Sequence, residues 1–74
     1  MEQEIEEKLE QIYTDYIDVE FRDFGIYDVF LTLKGGKQIA VVFLFNAKMT
    51  MEANIRNLQM KIDGEILKLY KRSL

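Results

Sequence analysis

The spacing of apolar residues changes period twice along the chain. Ile5, Leu9, Ile12 and Tyr16 step by four, three and four, with Tyr13 and Ile17 beside them. That spacing keeps one apolar face on a helix of 3.6 residues per turn and predicts a helix over residues 2–17. The opening glutamates suit the positive end of a helix dipole. Glu2, Glu6 and Glu10 nevertheless repel one another at four-residue spacing.

The period then falls to two. Val19 and Phe21 alternate with polar residues, Asp23-Phe24-Gly25 reads as a turn, and Tyr27, Val29, Leu31 and Leu33 alternate again. After Lys34-Gly35-Gly36-Lys37 comes a third run, Ile39 to Phe45. A single strand from 18 to 33 would span about 50 Å at ~3.3 Å per residue, too long for so small a domain. Three meandering strands, turning at Gly25 and at Gly35-Gly36, fit better.

The second turn sets the register. A two-residue Gly35-Gly36 turn would set Leu31 opposite Ala40. A three-residue Lys34-Gly35-Gly36 loop, with Gly36 left-handed in a bulge, sets Leu31 opposite Ile39 and Val29 opposite Val41. The longer loop is preferred, because it gathers Tyr27, Val29, Leu31, Leu33, Ile39, Val41, Phe43 and Phe45 on one face. Phe30, Val42 and Leu44 then fall on the other face, which is more apolar than a solvated face requires.

The last segment returns to helical spacing, from about Thr50 to Lys71. Thr50 is the candidate N-cap, with Glu52 in the first turn and Lys68, Lys71 and Arg72 at the far end. Met51, Ile55, Leu58, Ile62, Ile66 and Leu69 make the core stripe. Met49, Ala53, Met60, Leu67 and Leu74 fall near the opposite side, with Gly64 beside them. One stripe covers the sheet and the second needs another partner. The predicted fold is α+β, in the order helix, three-stranded antiparallel meander, helix, as one domain over residues 1–74.

Composition turns that second stripe into an expectation of self-association. A core of this size supplies roughly 3–5 kcal/mol, and small domains commonly add a disulfide, a metal or a partner. The chain has no Cys and no His, so a disulfide and a thiolate or imidazole metal site are excluded, and no cofactor is expected. With 49% hydrophobic residues, a homodimer is expected, its interface formed by Met49, Ala53, Met60, Gly64, Leu67 and Leu74. No apolar run is long enough to span a bilayer and no basic leader precedes one, so a cytoplasmic protein without membrane contact is expected.

Charge is split along the chain. Residues 1–30 hold ten acids and two bases, a formal −8, whereas residues 31–74 hold eight bases and three acids, a formal +5. The net −3 hides this polarity. Such a chain is expected to pair its halves, within one fold or between copies, or to offer two opposite surfaces to partners.

Candidate chemistry is sparse. Without His or Cys the commonest general base and the best nucleophile are missing, and Thr14, Thr32, Thr50 and Ser73 have no base spaced near them. Asp15, Asp18 and Glu20 straddle a helix-to-strand junction without the spacing of a calcium loop. Asp23-Phe24-Gly25 matches a kinase signature in letters only, and Gly35-Gly36 lacks a P-loop's surroundings. Lys61, Lys68 and Arg72 share a helical edge with Asn54 and Asn57, interrupted by Glu65. That edge is a candidate anion or nucleic-acid surface, although the negative net charge and the lack of aromatics among the bases favour a solvated flank. The acidic front invites the opposite reading, a surface imitating DNA phosphates to block a nucleic-acid-binding protein. The preferred reading is a non-enzymatic protein-interaction or regulatory module that binds itself and another protein.

Overall fold

The computed structural model describes residues 1–72. The chain forms α1 (Glu2–Glu10), β1 (Tyr16–Asp23), β2 (Ile26–Thr32), β3 (Gln38–Leu44) and α2 (Met51–Arg72). The strands make one antiparallel sheet in the order β1-β2-β3. The α+β order of helix, three-stranded meander and helix is therefore present.

Both helices lie on one face of the sheet. Ile5 and Leu9 of α1 and Ile55, Leu58 and Ile62 of α2 are buried against Ile17, Val19, Tyr27, Val29, Leu31, Ile39, Val41 and Phe43. Alternation along each strand selects this set, since successive side chains point to opposite faces. Met51, Ile66 and Leu69 of the core stripe, with Leu33 and Phe45, pack around it half-buried.

The β2–β3 register is the one a three-residue loop imposes, with Leu31 opposite Ile39 and Val29 opposite Val41. Leu33 donates its N–H to the Lys37 carbonyl at 2.6 Å, and Gly36 donates to the Leu33 carbonyl at 3.0 Å. Gly36 is left-handed as expected (φ 87°), and Gly35 shares the positive φ at 98°. The β1–β2 hairpin turns on Phe24 (φ 38°) and Gly25 (φ 77°), with one register shift between Phe21 and Asp23. Positive φ at both central residues matches the right-handed twist of the flanking strands.

The first helix is shorter than its periodicity predicts. It ends at Glu10, and Tyr16 and Ile17 belong to β1, opposite Thr32 and Leu31. Ile12 and Tyr16, expected on the buried stripe, are 40% and 73% exposed. Ile12, Tyr13 and Thr14 are poor helix formers. Pairing with β2 instead buries Ile17 and Val19 almost completely.

At the other end, the Thr50 hydroxyl accepts the Ala53 N–H at 3.1 Å, the expected N-cap. Among the described residues no helix is long and apolar enough to cross a membrane.

Candidate interaction surface

The turn from β3 into α2 is held by two asparagines. Asn54, 1% exposed, donates through Nδ2 to the carbonyls of Asn46 (2.9 Å), Thr50 (2.9 Å) and Met49 (3.4 Å). Its Oδ1 accepts the Asn46 N–H at 2.8 Å, and Asn46 Oδ1 in turn accepts the Lys48 N–H at 2.9 Å. A buried carboxamide is stable only when its donors and acceptor are matched, and here they are. Asn54 therefore does not belong to the helical edge with Lys61, Lys68 and Arg72 where spacing alone puts it. It faces inward between Met51 and Leu58, three residues after one and four before the other. That position on the core stripe is the signal that marks it.

The clasp fixes α2 beside β3, the strand at one edge of the sheet. Between them runs an open groove. One stretch, about 680 Å³, is lined by Phe43, Phe45, Met49, Asn57, Met60 and Lys61 among others. A second stretch, sharing Met60 and Lys61, continues past Val41, Val42, Gly64 and Glu65 to Lys68. Lys61 Nζ reaches across to donate to the Val42 carbonyl at 3.3 Å.

Hydrogen-bond parity identifies what β3 leaves free. In an antiparallel ladder alternate residues bond to the neighbouring strand. The Leu33–Lys37 and Gly25–Phe45 bonds fix the odd-numbered residues of β3 as those facing β2. The N–H and C=O groups of Gln38, Ala40, Val42 and Leu44 thus point away from the sheet, and the Val42 carbonyl is the one Lys61 touches.

The sheet face away from the helices is divided by charge. Along β1 and its neighbour it presents Asp18, Glu20 and Asp28; Arg22 answers Asp28 through a paired contact, with Nε donating to Oδ2 at 3.0 Å. Glu20 lies directly opposite Asp28, and Arg22 offsets that like-charge pairing. Toward β3 the same face becomes apolar, with Ile26, Phe30, Ala40, Val42 (50% exposed) and Leu44 (62% exposed).

The residues expected at an interface are mostly outward. Met60 and Leu67 are 69% and 55% exposed, and Gly64 and Met49 are also exposed, while Ala53 is half-buried. Met49, Met60 and Gly64 line the groove. Leu74 lies outside the described residues. Of the three basic residues, Lys61 contacts the Val42 carbonyl, Lys68 pairs with Glu65 at 3.1 Å, and Arg72 is exposed.

Among the described residues no salt bridge joins the two halves of opposite charge. The salt bridges found among the described residues, Arg22–Asp28 and Glu65–Lys68, each stay within one half. The acids of α1 face one another instead: partial burial, then the charges of Glu10, Asp18 and Glu7, raise the Glu6 pKa.

On the other flank, Tyr13 joins the end of α1 to α2 by donating its hydroxyl to Asp63 Oδ1 at 2.7 Å. Burial, followed by the bond to Asp63 and its charge, pushes the Tyr13 pKa well above the ordinary phenol value. Burial, followed by the Glu2 charge, raises Tyr27 as well. Among the described residues no group of three acidic side chains is placed to hold a metal ion. Comparison with protein-family models, with curated proteins and with solved structures gave no match.

Proposed function

We propose that the chain is a non-enzymatic protein-interaction or regulatory module acting as a small homo-oligomer. The observation that carries this reading is the apolar surface gathered around the β3 edge. Val42 and Leu44 on the open sheet face, and Met60 in the groove beside β3, stay exposed although the core on the inner face is complete without them. Single exposed apolar residues are ordinary, whereas a cluster around an unpaired strand edge marks a contact surface.

Sedimentation equilibrium across micromolar concentrations tests the reading. The expected result is a dimer or larger species that Met60→Glu weakens. A folded monomer throughout that range would overturn it.

A further inference from the structure

We propose that two copies join edge to edge through β3, antiparallel about a two-fold axis at Val41, fusing two three-stranded sheets into one of six strands. The inference rests on the homo-oligomer reading above and specifies its interface.

The two edges of the sheet are built differently. β1 carries Asp18, Glu20, Arg22 and Asp23, and its register shifts between Phe21 and Asp23. Charge and irregularity are how an edge strand resists pairing. β3, Gln38–Leu44, has neither: it is uncharged, lacks proline and keeps one register along its whole length. Its outward N–H and C=O groups form a regular row, and Lys61 leans on it through one long bond to the Val42 carbonyl.

The row is self-complementary. Outward groups must meet outward groups, so an axis at Val41 sets Ala40 opposite the partner's Val42 and Gln38 opposite the partner's Leu44. Such pairing is isologous and closes at two copies, leaving no free β3 edge to propagate.

α2 repeats the symmetry at the same level. The stretch of groove beside Val41 is lined by Lys61, Gly64 and Glu65. When two antiparallel helices meet near Gly64, Lys61 of each faces Glu65 of the other. Lys61 then exchanges a carbonyl contact for a carboxylate, freeing the Val42 carbonyl for the incoming strand. Gly64 fits the same geometry. It sits inside a helix, where glycine is unfavourable relative to alanine, yet a Cβ there would meet nothing within 4 Å. The protomer itself gives no reason for the glycine; a neighbouring helix passing close by would.

Sedimentation equilibrium and residue-resolved amide hydrogen exchange on the full chain test the proposal together. The expected wild type is a dimer in which the Ala40 and Val42 amides exchange slowly, although neither bonds within the protomer. Ala40→Pro removes an N–H directed away from β2 and should yield a folded monomer. Lys61→Glu should weaken dimerisation about tenfold or more, and adding Glu65→Lys should restore it, since about 1.4 kcal/mol corresponds to tenfold. The charge reversal and its rescue decide the matter even where the proline variant does not fold. A dimer with freely exchanging Ala40 and Val42 amides, or without rescue by the double variant, would overturn the β3 interface and leave the homo-oligomer reading standing. A wild-type monomer would overturn both.

Discussion

Asn54 joins its partners Asn46, Met49 and Thr50 with every polar atom of its carboxamide engaged and almost no exposure. Replacing it with alanine strands the Asn46 N–H and frees several carbonyls inside the turn. Unsatisfied buried groups cost about 1–3 kcal/mol each, so Asn54→Ala should lower unfolding free energy by about 2–3 kcal/mol in a urea titration. Thr50→Ala, which removes only the cap, should cost about 1 kcal/mol. Tyr13 provides a test by pH. An ordinary tyrosine ionises near pH 10, whereas in the fold Tyr13 holds its proton to higher pH. Between those two values the unfolded chain binds fewer protons than the folded one, so stability falls as pH rises. The Tyr13 contribution is complete below about pH 10 and disappears as pH climbs through the folded value. Thermal melts from pH 8 upward should show this decline. Tyr13→Phe should be less stable at neutral pH and lose less above it, with Tyr27 supplying the remaining slope.

At the scale of elements, the β2–β3 loop is decided by backbone conformation alone. Gly35 and Gly36 both have positive φ, and a Cβ on either would meet nothing within 4 Å. Valine at either position therefore brings strain without a clash, and each substitution should destabilise by about 1–2 kcal/mol in denaturant titrations. Gly35 is thus as constrained as Gly36, contrary to the milder role that a left-handed Gly36 alone would leave it. α2 shows a different imbalance. Its 22 residues extend about 33 Å at ~1.5 Å per residue, while the seven-residue strands beneath it reach about 23 Å at ~3.3 Å per residue. Leu67 remains exposed because it lies off the stripe of Ile62, Ile66 and Leu69, which touches the core. In α1, Glu6 lies among like charges. Glu6→Gln should raise unfolding free energy by about 0.2–0.5 kcal/mol, the scale of a like-charge pair at four-residue spacing.

Across the whole molecule, charge separation has two opposite consequences. Within the protomer the acids of α1 repel one another and no salt bridge among the described residues joins the two halves. Between protomers joined through β3, Lys61 and Glu65 attract. Salt screens both, with a screening length of about 8 Å at 0.15 M and about 3 Å at 1 M. Chloride salt should therefore raise the unfolding midpoint measured at low protein concentration and weaken dimerisation measured by sedimentation. Opposite trends in these measurements are the signature of this arrangement. A fall in both would mean that attractions inside the protomer outweigh the repulsion in α1.

Much of the architecture was legible because local rules and global packing agree. The alternation from Tyr27 to Phe45 and the stripe from Met51 to Leu69 fixed which residues face the core. The paired glycines placed the turn and favoured the register that gathers the strand residues on one face, and Thr50 announced the start of α2. The end of α1 was not legible in that way. Ile12 and Tyr16 fit a helical face and Ile17 fits a strand equally well; the choice came from β2, whose free edge pairs with β1 and so places Ile17 and Val19 in the core beneath the helices. Asn54 was hidden for a related reason, since its partners are backbone groups of a turn that exists only once β3 and α2 are docked. The apolar second stripe on α2 was readable from spacing, but the free edge of β3 beside it was not. A sequence states which residues of a strand share a face. Which of its backbone groups remain unpaired depends on strand order, and strand order belongs to the folded sheet.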